Sequence, residues 1–329
     1  MDLSTILGNA FRAAMGPEAA VYALAAIGLN LHYGFTGLLN FGMVGFMLVG
    51  AYGVGISVAT FGWSMWVGIG VGLAGCVVLA LAMGLPTLRL RSDYFAITTI
   101  AVAEILRLVV RSAPADPLTG SVFGLQGIAV EFYRLNPIPR GRHGIGVLSF
   151  PHTQLWALLV TWAVVALATI LIVLLVRSPW GRVLKSIRED EDAARSLGKN
   201  VFAYKMQSLV VGGLIGGMAG IMFAITPSAV NADAFRPQVT FFAYAILILG
   251  GAATRMGPIV GAVLFWFLIA GVQSFLREAA GTDWLPDLLS GSEAVGAVSI
   301  GLVGLGLMLL MIFRPQGIFG DKDEMRLDA

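Results

Sequence analysis

A single cysteine, Cys76, stands among 329 residues, so no disulfide can form within the chain and a cysteine-built zinc site is excluded. It lies in an apolar run and reads as a small buried hydrophobe. Charge is scarce too. Asp, Glu, Lys and Arg supply 12% of the residues, about half the share of a soluble domain. The net charge is only +2, which leaves no basic stripe to neutralise a phosphate backbone and excludes nucleic acid as a partner. The three histidines, His32, His143 and His152, show no metal-ligand spacing, and no serine or cysteine sits in a nucleophile motif. No catalytic residue, metal site or cofactor is expected, and the chain reads as a non-enzyme. It also lacks a Gly-x-x-x-x-Gly-Lys-Ser/Thr loop, so it is not expected to hold ATP itself. Met1 to Pro17 lacks the pattern of a signal peptide, so membrane insertion is expected to be directed by the spans themselves.

What fills the chain is apolar. Hydrophobic residues make up 57% of it before 42 glycines are counted, and the mean hydropathy is +0.85. So little polar surface cannot cover a water-soluble core of this size, which excludes soluble enzymes and disordered scaffolds. The expectation is an all-α polytopic membrane protein, one integral domain over residues 1–329 embedded in lipid. A span needs about 20 mainly apolar residues. That ruler gives nine candidates, 18–33, 37–60, 63–85, 94–110, 154–176, 205–226, 238–254, 257–277 and 293–313, in a bundle of about nine (eight to ten) helices. The runs do not alternate in polarity as barrel strands do.

Residues 177–205 hold Arg177, Arg182, Lys185, Arg188, Arg195, Lys199 and Lys205, which places this loop on the cytoplasmic side. Counting through the spans then puts 277–293, with a net charge of −3, outside, and the 314–329 tail inside. The same count sets Arg89 and Arg91 inside and the 111–153 loop outside. Nine spans leave the N-terminus outside, and a tenth element within 1–17 or from splitting 37–60 brings it in.

Four features stand out within this plan. Gly212, Gly216 and Gly220 form a stripe at helix-packing spacing. The stretch from Asn30 to Gly42 breaks an apolar run with glycines and polar groups, which fits either a discontinuous membrane helix or a short loop. Glu104 and Arg107, three apart on one helix face, are ionisable groups inside a span. They read either as a pair with Arg107 snorkelling to the outer interface or as groups lining a pathway or a subunit contact. Residues 181–199 read as one amphipathic cytoplasmic helix with Val183, Leu184, Ile187, Ala194 and Leu197 on one side and Gly198 ending it. It is suited either to docking a partner protein or to lying on the lipid interface, where its acidic cluster is unfavourable.

That loop resembles the coupling segment of ABC-importer permeases, Glu-Ala-Ala-x-x-x-Gly. Here it reads Asp192-Ala193-Ala194-Arg195-Ser196-Leu197-Gly198, with Asp for Glu. Four further stretches resemble the branched-chain amino-acid permease family and its LivM-like subunit. They are Leu88 to Ile97 running on to Glu104; Leu249-Gly250-Gly251 with Gly257-Pro258 and Gly261-Ala262; Gly34 to Tyr52; and Arg314-Pro315-Gln316-Gly317. The likeness runs from about Val21 to Gly320. Ser92 and Met43 depart from it, standing where Gly and His are usual.

The resemblance implies a bundle with a discontinuous early helix in the bacterial inner membrane. It implies a second homologous permease, two cytoplasmic ATPases that bind the ATP, and an extracytoplasmic substrate-binding protein as partners. The coupling residues would be Arg182, Leu184, Ile187, Asp192, Ala193, Ala194, Leu197 and Gly198. Substitution of Ala194 or Gly198 by Arg would then abolish uptake and leave insertion intact. Asn30, Asn40, Thr98, Thr99 and Glu104 are candidates for the solute path, because a zwitterion stripped of water needs hydrogen-bond partners. Urea or short-chain amides remain alternative substrates within the family. A self-sufficient secondary carrier or channel and a non-transporting scaffold are the alternatives outside it.

Overall fold

The computed structural model describes residues 3–89, 92–145, 148–280, 292–313 and 317–319. Most of the loop expected outside at 277–293, Arg91 and nearly all of the 314–329 tail lie outside the described residues. The chain opens with α1 (Leu3–Met15), which bends by 44° into α2 (Pro17–Leu29). Pro17 starts α2 because its missing N–H is no loss in a first turn. α2 runs on into a π-helical turn, Asn30–Phe35, and α3 (Met43–Gly55) likewise ends in one, Ile56–Thr60. α4 (Met65–Thr87) is capped by the Ser64 hydroxyl, and α5 (Ser92–Arg111) leads into a loop that carries α6 (Asp116–Thr119), β1 (Leu125–Gln126), α7 (Val130–Arg134) and the antiparallel pair β2 (Arg142–Ile145) and β3 (Leu148–Pro151). α8 (His152–Arg177), α9 (Pro179–Glu189), α10 (Glu191–Ser196) and α11 (Val201–Ile225) follow, then β4 (Ala229–Val230) and a 3-10 turn, Ala232–Phe235. α12 (Gln238–Gly250), α13 (Gly257–Ala280) and α14 (Ser292–Phe313) complete the helices.

Every one of the nine apolar stretches falls on helix, but the count of nine spans is not reached. Among the described residues five helices are long and apolar enough to cross a membrane, or six if the bent α1–α2 pair is one span. Two shortfalls have plain causes. α5 carries four charged side chains, Asp93, Glu104, Arg107 and Arg111, and α12 has only 13 residues. The stretch read as 37–60 begins its helix at Met43, with 37–42 irregular before it.

The loops sort to two ends. Arg89 lies over the Phe202 ring, Arg188 reaches the Gly34 carbonyl, and Ala253 N–H meets Asn30, so 88–89, 177–205 and 251–256 share one end. At the other, β1 pairs with β4, Ala129 N–H donates to Ser228, and the Tyr133 hydroxyl donates to the Thr226 carbonyl at 2.6 Å. Burial raises that hydroxyl's pKa, so it stays a donor at any working pH. Arg12 sits over the Phe150 ring and Met15 O accepts from Trp162, which brings the C-terminal turn of α1 to this second end.

α11 lies at the centre, against α2, α3 and α4. Its glycine stripe packs helices: a side chain at Gly212 would strike His32, one at Gly216 the Met43 sulfur, and one at Gly220 the Met47 carbonyl. In lipid, apolar contact alone drives no association, so close backbone approach through bare stripes holds such bundles together.

Candidate functional site

The basic-loop segment is two helices rather than one. α9 ends at Glu189, Asp190 adopts an extended conformation, and its carboxylate accepts from Asp192 and Ala193 N–H, both at 2.9 Å, to start α10. Asp is a poor helix-interior residue and a strong N-cap, and the acids that follow suit the positive end of a helix. The extended residue shifts the phase of everything after it. Leu184, Ile187 and Ala194 are buried, with Ile187 and Ala194 packed on Val201, whereas Leu197, expected on the same side, is 78% exposed. Gly198 ends α10 at φ +77°, a left-handed value that only glycine takes without cost.

The segment is also tied down. Trp180 Nε1 donates to Gln207 Oε1 at 2.7 Å, and Lys205 pairs with Glu191, both links reaching α11. Arg188 Nη1 donates to the Gly34 carbonyl at 2.6 Å, which links α9 to the π-turn of α2. Of the residues expected to couple, Arg182, Asp192, Ala193, Leu197 and Gly198 are exposed, with the charged side chains of Glu189, Asp190, Arg195 and Lys199 exposed among them. The eight residues expected to couple thus divide into a buried three that anchor the elbow and an exposed five that a partner can reach. Ala194, being buried, is unsuited to a docking test by substitution with Arg.

The break after α2 is a satisfied polar node. Asn40 Nδ2 donates to His32 Nδ1 at 3.1 Å while its Oδ1 accepts from Gly42 N–H at 2.9 Å. His32 Nε2 therefore carries the proton and donates to the Leu209 carbonyl at 3.2 Å, so the ring is held as one neutral tautomer. Thr36 and Ser208 join the node at 2.7 Å. Asn30 is buried and closed on the 251–256 turn, accepting from Ala253 N–H at 2.8 Å and donating to Thr254 O at 2.7 Å. The stretch is a discontinuity whose polar groups are used inside the protein. Asn30→Leu, close in volume, should strand both turn groups and lower the melting temperature of the purified chain by several degrees, about 2–4 kcal/mol. An unchanged melting curve would show that the turn does not depend on it.

Thr99 is likewise occupied, donating to the Ala96 carbonyl at 2.9 Å and accepting from Phe41 N–H at 3.1 Å. Thr98 is half-buried on α5, and its hydroxyl donates to Tyr94 O of the same helix. Glu104 takes Arg107 in a two-pronged pair, at 2.9 and 2.6 Å. Arg107 is only 12% exposed, and its third nitrogen donates to Asp233 Oδ1 at 3.1 Å, in the Ala232–Phe235 turn. Asp233, the bonding role of His32, and Ser208 escaped the sequence reading. The first two bond to partners 126 and 177 residues away, and no local pattern marks such a pairing.

Comparisons with known proteins place this arrangement. The sequence model of the family described as branched-chain amino acid transport system / permease component matches residues 17–313. The high-affinity branched-chain amino acid transport system permease protein LivM of Salmonella typhimurium is 30% identical over 315 residues, covering 91% of this chain and 67% of that one. A probable branched-chain amino acid transport permease protein LivM of Methanocaldococcus jannaschii is 25% identical over 346 residues, covering 92% and 91%. Among solved structures, PsaBC from Streptococcus pneumoniae in complex with Fab aligns over 96% of this chain and 94% of that chain at TM-score 0.42 and 17% identity, too loosely to carry an argument.

Proposed function

The chain belongs to the family of branched-chain amino acid transport permease components, and on that premise we propose that it is one membrane subunit of an ATP-driven importer for branched-chain or related small amino acids. Its elbow, α9–α10, is the grip for a cytoplasmic ATPase. The observation that carries this is the pairing of a rigid mount with an exposed patch. Trp180, Lys205 and Arg188 fix the elbow to α11 and α2, while Leu197 and its neighbours stand free to be pushed. A push applied there reaches the π-turn and the break at 36–42 through the Arg188 link, without passing through a flexible loop.

Under this reading the basic-loop end faces the cytoplasm of a bacterial inner membrane. Two ATPases, a second homologous permease and an extracytoplasmic binding protein complete the machine. ATP closes the ATPase pair, the elbow moves with it, and a path between the two permeases opens to one side and then to the other. Of the five path candidates, Thr98 and Glu104 lie where a shared cavity can reach them. Asn30, Asn40 and Thr99 are spent on internal bonds, and we assign them to holding the discontinuity.

Reconstitution tests the proposal. Proteoliposomes carrying the assembled complex should accumulate leucine only with binding protein outside and ATP at the ATPases. Uptake by this chain alone, driven by an ion gradient, would instead make it a secondary carrier.

A further inference from the structure

Charge is concentrated where α5 meets the Ala232–Phe235 turn. Three guanidinium groups converge on one carboxylate oxygen, Asp233 Oδ1: Arg107 at 3.1 Å, Arg111 at 3.3 Å and Arg236 at 3.6 Å. Glu104 is the second carboxylate, held by Arg107. Three cations against two anions leave one positive charge uncompensated within the cluster. The surplus falls on Arg236. Its nearest anion lies beyond hydrogen-bond distance and is already engaged by the other two arginines, and its side chain is 60% exposed. A guanidinium has five N–H donors, so most of those on Arg236 are available.

The cluster stands where the last two turns of α5 meet the turn at the second end, with Arg107 and Glu104 four and seven residues before the helix stops at Arg111. Partly exposed ions on such a helix face water or a polar subunit contact rather than acyl chains. The same helix exposes Ile97, Ile105 and Leu108 alongside the half-buried Thr98, an apolar wall beside the ions. Such a surface complements a molecule with a carboxylate, an ammonium group and an aliphatic side chain.

We propose that this face of α5 lines the solute path, and that Arg236 receives the carboxylate of a small aliphatic amino acid in transit. Glu104 and Asp233 supply the opposing charge for the ammonium group, and Arg107 and Arg111 hold Asp233 in place. The proposal rests on the permease reading and adds to it a residue and a chemistry of recognition.

The test is direct binding to the full assembled complex in detergent, without the binding protein, so that the latter's own specificity does not intervene. Leucine and leucinamide, which lacks the carboxylate, are titrated against wild type, Arg236→Gln, Arg236→Lys and Arg140→Gln, the last an exposed arginine outside the cluster. Wild type should bind leucine and discriminate against leucinamide. Arg236→Gln should weaken leucine about 10- to 100-fold, the loss of one charge-assisted contact, and erase the discrimination. Arg236→Lys should retain part of both, and Arg140→Gln all of both. No leucine binding by wild type, equal binding by wild type and Arg236→Gln, or equal losses in Arg236→Gln and Arg140→Gln would each overturn the assignment. So would loss of the second permease from Arg236→Gln, which would make Arg236 a subunit contact. Leucine uptake by the wild-type complex reports separately on the permease reading.

Discussion

Leu197→Glu should abolish ATP-driven uptake while leaving the protein inserted, folded and as heat-stable as the wild type. Leu197 ends α10 and is 78% exposed, so within this chain it has little to lose. Substitutions at such positions usually shift stability by no more than about 0.5 kcal/mol. A partner seated on the elbow changes the arithmetic. An apolar side chain at the centre of a docked patch carries about 2–4 kcal/mol, and burying an unpaired carboxylate in its place adds a desolvation penalty. Together these should lower ATPase affinity by more than about 100-fold. Pull-down of the ATPase with tagged permease, together with leucine uptake in proteoliposomes, measures both consequences. Wild-type recovery of ATPase on the Leu197→Glu chain would remove the elbow from the docking site.

The companion substitution separates docking from folding. Leu184 is fully buried beneath the elbow, and Leu184→Ala should cost about 2–5 kcal/mol of stability. Its effect on uptake should track the amount of folded protein recovered. A buried anchor and an exposed knob, thirteen residues apart on one short segment, should therefore fail in distinguishable ways.

How far the sequence showed this division depends on one residue. The apolar positions from Val183 to Leu197 read as a single helical face because the period runs unbroken across Asp190. Asp190 is itself the flaw in that reading: followed by acids that favour a helix start, it is a better cap than a helix-interior residue. Its extended conformation turns Leu197 outward. Span counting misread polarity in a similar way. Residues 94–110 pass by eye as a membrane run, but Glu104 and Arg107 mark a helix with one polar face. Asp233, which completes their cluster, lies in the short connection between α11 and α12 and is invisible to any periodic argument. The polar node at His32 and Asn40 was half legible. The glycines and asparagines announced an interruption, but the partners that satisfy it, such as Leu209 and Ser208, come from α11 and only the folded chain brings them there.

The most legible feature, the stripe on α11, carries the strongest expectation for folding. Gly220→Leu should cost about 3 kcal/mol or more, enough to deplete folded protein from the membrane. Along this contact α11 and α3 touch backbone to backbone. A Cβ at Gly220 would overlap the Met47 carbonyl group, and one at Gly50 the Gly217 carbonyl, leaving no flexible side chain to yield. α4 packs as closely against both: a Cβ at Gly72 of α4 would come within 2.6 Å of the Gly50 carbonyl oxygen, and one at Gly217 of α11 would strike the Cys76 sulfur. Moving α3 away from α11 to make room would therefore disturb the contacts both make with α4. Gly70, two residues from Gly72, points into open space. Gly70→Ala should therefore be neutral or gain up to about 1 kcal/mol from helix propensity. Fluorescence-detected size exclusion after a heat ramp compares the two in one assay. If Gly220→Leu melted within about 2 °C of the wild type, the three-helix contact would be looser than these backbone distances allow.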